Sequence, residues 1–110
     1  MKRVLIESPF AGDCAANLEY LRRCIMDCIH RGEAPFASHG FYTQFLDDDV
    51  PAERALGMEA GWAWGNAAQL VAVYSDRGVS VGMELGIERA TLVGIPITYR
   101  YLRDRADADR

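Results

Sequence analysis

Short apolar runs alternate along this chain with longer stretches of helical periodicity. Four runs rich in apolar and β-branched residues predict β-strands at 2–7, 34–38, 70–74 and 95–99. Three longer stretches predict α-helices at 13–30, about 51–66 and 80–91. The segment after the second strand, HGFYTQFLDDD, predicts a loop rich in aromatic and polar side chains.

Strands that alternate with helices predict right-handed βαβ units and a parallel sheet. The expected fold class is therefore α/β, a small Rossmann-like or flavodoxin-like parallel sheet with helices on both faces. We expect one domain over residues 1–103, followed by a polar tail at 104–110. The loops after the first three strands should line one cleft, because ligands of such sheets bind beyond the carboxyl ends of the strands.

Composition narrows the range of partners. The 110 residues carry a net charge of −4, which argues against binding to a nucleic-acid polymer. No apolar run approaches the roughly 20 residues that a membrane span needs, and the N-terminus becomes polar after Ile6, too early for a signal peptide. We expect a cytoplasmic protein with no membrane partner. So small a domain is also expected to share its cleft in a homo-oligomer, a dimer or higher.

The three cysteines, Cys14, Cys24 and Cys28, are expected to be reduced, since their number is odd and no export signal precedes them. Cys24, Cys28 and His30 lie within two helical turns, but no second pair completes a tetrahedral zinc site. Buried thiols commonly fill helix faces. We therefore expect no metal and no cofactor.

Three segments carry a resemblance to a known family. They are ESPFAGD, APFASHGFYTQFLDDDVPAERALG and VYSDRGVSVGM. Together they resemble the nucleoside 2-deoxyribosyltransferase-like superfamily, especially its small, often phage-encoded members, over residues 2–101. The resemblance implies an oligomer with a nucleoside or nucleotide in the cleft. It also implies N-glycosidic bond cleavage, in which a glutamate on the helix after the third strand attacks the sugar and an aspartate before that strand assists proton transfer.

Neither the catalytic glutamate nor the aspartate of the family has an equivalent in this chain when the motifs are aligned. Counting from Ser80, Gly82 fits the family pattern and Gly86 stands at the position of the glutamate, while Gln69 stands at that of the aspartate. A second register places Glu84 on the glutamate. Because two positions along a helix correspond to a rotation of about 200°, Glu84 faces away from the cleft if Gly86 faces it. The helix dipole alone accounts for a carboxylate in this first turn.

The candidate ligand-binding residues come from the three cleft loops and the start of the third helix. They are Ser8, Pro9, Phe10, Gly12, His39, Tyr42, Gln44, Asp76, Arg77, Ser80, Gly82, Met83 and Gly86. Glycines at 82 and 86 leave room for a ligand or for close packing, and aromatic and amide side chains suit a nucleobase. Asp13 is interpreted as a helix cap. Trp62 and Trp64 are assigned to a subunit interface.

Two hypotheses about function follow. The first is a nucleotide-binding protein that lacks the catalytic carboxylates, a phage protein that sequesters a NAD-derived immune signal of the cyclic ADP-ribose type. The alternative is an active N-glycosidase or 2-deoxyribosyltransferase that uses Glu84 as nucleophile, with Asp76 or Asp49 as acid. A purely structural or protein-binding module is disfavoured, because the cleft loops are rich in polar and aromatic side chains.

Overall fold

A computed structural model describes residues 1–102. The end of the predicted domain at 103 and the predicted polar tail at 104–110 lie outside the described residues. The strands are β1 (Arg3–Glu7), β2 (Ala34–Phe36), β3 (Leu70–Tyr74) and β4 (Ile97–Arg100). The helices are α1 (Cys14–His30), α2 (Ser38–Phe41), α3 (Pro51–Gly65) and α4 (Val81–Val93), with a 3-10 turn at Tyr42–Gln44.

All strand pairs are parallel, and the strand order is β2-β1-β3-β4. This confirms the predicted Rossmann-like, flavodoxin-like α/β fold. The chain reverses its direction of strand addition between β1 and β3, where Glu7 lies opposite Val73. Such a switch point opens a crevice beyond the strand ends, which is where ligands of this architecture bind.

Alternate side chains of the strands point to opposite faces of the sheet. Val4 and Ile6 pack with Tyr74 against α1 in one buried cluster. Leu5 packs with Val73 and with Met83 of α4 in the other. Because residues 5 and 7 share a face, Glu7 extends the second cluster at the carboxyl edge of the sheet.

Two helix starts at this edge are fixed by side-chain caps. Asp13 accepts a hydrogen bond from the Ala16 N–H at 3.1 Å, and Ser80 accepts one from the Met83 N–H at 3.2 Å. Asp13 is therefore the cap of α1 that the sequence indicates. None of the helices within residues 1–102 has the length and apolar character of a membrane span.

Several element boundaries differ from the sequence-based prediction, and those after β2 and before β4 have a physical reason. The segment predicted as a loop begins with α2 and the 3-10 turn, and β2 correspondingly ends at Phe36 instead of Ser38. Gly61 explains this placement, because the absence of a Cβ there lets Ser38 of α2 pack directly on α3. β4 begins at Ile97 instead of Ile95, since Pro96 has no N–H to donate to the sheet and contributes only its carbonyl, to the Val71 N–H at 2.9 Å.

Candidate functional site

A cavity of about 460 Å³ opens at the carboxyl end of β1, between α2, α3 and the start of α4. Eight of the predicted ligand-binding residues line it: Ser8, Phe10, His39, Tyr42, Ser80, Gly82, Met83 and Gly86. The remaining lining includes Glu7, Leu46, Asp48, Glu53, Arg54, Gly57, Met58 and Trp62. The volume lies within the range of small-molecule sites, and the lining mixes apolar surface with a few polar groups in the way those sites do.

Glu7, which the sequence analysis did not single out, reaches this cavity from the last position of β1. Its carboxyl group lies against the backbone of Gly86, so closely that a Cβ added to Gly86 would lie 2.5 Å from the Glu7 Cδ and 2.7 Å from its Oε1. Any side chain at position 86 would have to displace that carboxyl group. The glycine inside α4 is therefore explained by the approach of Glu7.

The Glu7 carboxyl group has no hydrogen-bond or ion-pair partner among residues 1–102. The guanidinium of Arg89 lines a small cavity on the other side of Glu7 and lies 5.5 Å from the centroid of the Trp62 ring, but it forms no ion pair with Glu7. Burial raises the pKa of Glu7 to about 8, because the charged form loses solvation without gaining a partner. At neutral pH this acid is predominantly protonated and can donate a hydrogen bond.

Ser8 and His39 form a second polar feature of the cavity. The Ser8 Oγ and His39 Nε2 atoms are hydrogen-bonded at 2.7 Å, and Ser8 is buried. The Thr43 hydroxyl donates to the His39 carbonyl at 2.5 Å, which holds the short helix α2 in place. Burial lowers the pKa of His39 to about 4, so its ring is neutral at physiological pH.

The first turn of α4 forms one wall of the cavity. Ser80, Gly82 and Met83 line it, and a Cβ added to Gly82 would meet nothing closer than the Ser80 Oγ at 4.0 Å. The N–H groups of a first helical turn have no partner within the helix, and the helix dipole makes this end positive. This wall combines free space with backbone N–H donors, apart from the Met83 N–H, which donates to Ser80.

Five predicted ligand-binding residues do not line the cavity: Pro9, Gly12, Gln44, Asp76 and Arg77. Asp76 accepts hydrogen bonds from the Tyr20 hydroxyl at 2.6 Å and from the Leu102 N–H at 3.0 Å, so it joins α1 to the segment after β4. Arg77 lies over the Tyr20 ring at 4.7 Å and donates to the Ala16 carbonyl. The Gln44 amide donates to the Gly40 carbonyl of its own turn at 2.9 Å.

The acids that the alternative hypothesis of an active enzyme requires lie outside the cavity. Glu84 and Asp49 are exposed and do not line the cavity. Gln69 precedes β3, at the opposite end of the strand from the cavity, and its side chain accepts a hydrogen bond from the Arg3 N–H at 3.0 Å. An acid at position 69 would therefore be remote from this cavity.

The tryptophans and cysteines separate into different environments. Trp62 lines the cavity, although the sequence analysis assigned it to a subunit interface, whereas Trp64 is 65% exposed. Cys24 and Cys28 of α1 are buried in the core, and burial raises the pKa of both thiols. Within residues 1–102, no group of three or more His, Cys, Asp or Glu side chains is arranged to hold a metal ion.

Comparison with solved structures shows which known fold the chain adopts. It is similar to a 2-deoxyribosyltransferase from the psychrotolerant bacterium Bacillus psychrosaccharolyticus, described as a biocatalyst for nucleoside synthesis. The TM-score is 0.69 at 12% sequence identity, over 90% of this chain and 72% of that chain. The similarity confirms the 2-deoxyribosyltransferase-like fold that the sequence motifs indicate.

A family model described as "Domain of unknown function (DUF7768)" matches residues 2–100. The chain therefore belongs to this family. No match was found among the curated protein sequences.

Proposed function

We propose that the chain binds a nucleoside or nucleotide in this cavity and does not cleave it. The observation that carries the proposal is Gly86, which faces the cavity at the position where the resemblance places a glutamate. Glu84, the alternative nucleophile, is exposed outside the cavity. The helix after β3 therefore presents no carboxylate to a ligand.

The residues that line the cavity match the chemical groups of a nucleoside or nucleotide. Tyr42 and Trp62 offer aromatic surfaces for a base. The N–H groups of the first turn of α4 suit an anionic or hydroxyl group, and the open face of Gly82 leaves room for it. The fold of a 2-deoxyribosyltransferase supports the same ligand class.

The finer form of the proposal is a phage protein that sequesters a NAD-derived signal of the cyclic ADP-ribose type in the host cytoplasm, as a homo-oligomer. Only the resemblance supports this form. It predicts that cyclic ADP-ribose derivatives bind more tightly than simple nucleosides do, and that size-exclusion chromatography finds a dimer or a larger assembly.

The test is calorimetry with 2′-deoxynucleosides, their monophosphates, NAD, ADP-ribose and cyclic ADP-ribose. We expect at least one to bind, and Gly82→Leu to abolish that binding, because a leucine at this open position projects into the cavity without a clash. Glu84→Gln, on the same helix but outside the cavity, is the matched control and should bind normally. Absence of binding to every compound would overturn the proposal.

The same mixtures distinguish binding from catalysis. Release of free base from any compound would contradict the binding-only proposal. If Glu84→Gln then abolished the release, the alternative N-glycosidase or 2-deoxyribosyltransferase using Glu84 would be correct.

A further inference from the structure

Position 86 of α4 and position 7 of β1 share one space. A side chain at 86 would occupy the volume that the Glu7 carboxyl group now fills, as the 2.5 Å separation between an added Cβ and the Glu7 Cδ shows. The neighbouring strand therefore supplies a carboxyl group to the cavity directly beside the position where the helix lacks a side chain.

A carboxyl group in this environment needs an explanation. Burying an acid without a partner costs stability, and proteins usually pair such groups. No donor among residues 1–102 forms a hydrogen bond or ion pair with the Glu7 carboxyl group, and this includes Arg89, which lines a small cavity together with Glu7. The group instead lines a cavity large enough for a small molecule.

From this geometry we infer that Glu7 is a ligand-contacting residue, which hydrogen-bonds to the sugar hydroxyls of the bound nucleoside or nucleotide. The inference rests on the proposed function and identifies Glu7 as the residue that recognises the sugar of the ligand. A sugar fits this position better than a phosphate does, because a protonated carboxyl group both donates and accepts, as hydroxyls do, whereas a phosphate dianion offers only acceptors.

The neighbouring groups support this assignment. Ser8, the next residue, forms a hydrogen bond with His39 that places a second pair of polar groups on the same cavity. The raised pKa of Glu7 keeps its proton available, so the group can both donate to and accept from hydroxyls. The absence of a side chain at Gly86 gives the carboxyl group room beside the backbone of α4.

Four proteins test the inference by calorimetry with 2′-deoxyadenosine, AMP and ADP-ribose: the wild type, Glu7→Gln, Glu7→Ala and Glu84→Gln. We expect Glu7→Ala to weaken binding of each ligand that the wild type binds by about tenfold, the effect of one lost hydrogen bond. Glu7→Gln should weaken it less, because an amide keeps the shape and a donor. Glu84→Gln should bind as the wild type does.

Each outcome is decisive, and circular dichroism checks that the variants are folded. If the wild type binds and both Glu7 variants bind equally well, the inference is wrong while the proposed function stands. If the wild type binds none of the compounds, the proposed function fails and the inference fails with it. Base release by the wild type that Glu7→Gln abolishes would support ligand contact by Glu7 and contradict the binding-only function.

Discussion

The two faces of the sheet hold partly buried acids in different environments. On the α1 face, Arg100 of β4 donates two hydrogen bonds to Glu33, both at 2.7 Å, and the hydrogen bonds lower the pKa of that carboxyl group. On the opposite face, Glu7 has no partner within residues 1–102, and its pKa rises to about 8. Similar acids thus have different roles, one in holding the fold together and one in facing a cavity.

The α1 face is organised as a connected network. The Tyr74 hydroxyl donates to Asp27 at 2.7 Å, and Arg100 donates to that same hydroxyl at 3.2 Å. These bonds join β3, β4 and α1. Paired polar networks add rigidity, whereas an acid that loses solvent without gaining a partner lowers the free energy of unfolding.

The largest expected effect on stability comes from removing the hydrogen bonds that Arg100 donates on the α1 face. Arg100→Ala leaves Glu33 and Tyr74 without their shared donor, and we expect a loss of about 3 kcal/mol in the free energy of unfolding, measured by urea denaturation. Arg22→Ala removes an ion pair with Glu19 in which both side chains are exposed, and should cost less than about 1 kcal/mol. Equal losses in the two variants would contradict the comparison.

Replacing Glu7, the acid without a partner among the described residues, should increase the free energy of unfolding, whereas replacing Arg100 decreases it. Above pH 4.5 the Glu7 carboxyl group of the unfolded chain loses its proton, while the folded chain retains it up to about pH 8. Wild-type stability therefore falls through this window because of Glu7. Glu7→Gln removes the effect, so its stability relative to the wild type should rise from pH 5 to pH 8, reaching about 1–3 kcal/mol.

The other titratable or charged groups on the cavity are common to both proteins in this pH comparison. They are His39 of α2, Tyr42 of the 3-10 turn, Asp48 of the following loop, Glu53 and Arg54 of α3, and Arg89 of α4, which lines the small cavity with Glu7. The difference between the two unfolding curves therefore isolates Glu7. Parallel curves across this window would show that its pKa is not raised.

A smaller effect tests the contact between Glu7 and Gly86. Gly86→Ala should destabilise the wild type by about 1 kcal/mol, because the new methyl group displaces the carboxyl group. In a Glu7→Ala background the same change should instead stabilise the protein by about 0.5–1 kcal/mol, the ordinary gain of alanine over glycine in a helix. Urea unfolding of the four proteins measures this coupling, and an unchanged sign would refute the contact.

The smallest expected effect concerns Glu84. It lies in the first turn of α4 and is exposed, so Glu84→Gln should lose only its interaction with the helix dipole, about 0.3–1 kcal/mol. Thermal unfolding at low and high salt measures it, because salt screens such an interaction. A larger, salt-independent loss would indicate that Glu84 has a structural role that the exposed position does not explain.

The sequence predicts the fold better than it predicts the site. Continuous apolar runs such as LVAVY identify strands buried on both faces, and this pattern is local. Counting from Ser80 against the family pattern assigns Gly86 to the cleft side of its helix. Glu7 could not be assigned in this way, because its meaning depends on a contact between residues 79 positions apart in sequence. Its one local signal is an acid at the end of an otherwise apolar strand, and such residues are commonly solvated.

Asp76 and Arg77 were assigned to the cleft incorrectly for a similar reason, because long-range contacts determine their positions. Both follow β3, as cleft residues should, but each interacts with α1 instead, through contacts with Tyr20. Position after a strand places a residue at the correct edge of the sheet. It does not determine which of the two faces the side chain occupies.

The most direct test of the account is an amide NMR titration of the isotope-labelled protein with the nucleotide that binds most tightly in calorimetry. The amides expected to shift are those of Glu7, Ser8, His39, Gly82 and Gly86. Those of Glu33, Tyr74 and Arg100, on the opposite face, should remain in place. Shifts centred on this second group, with the first unchanged, would contradict the assignment of ligand binding to the cavity and of structural support to the paired network.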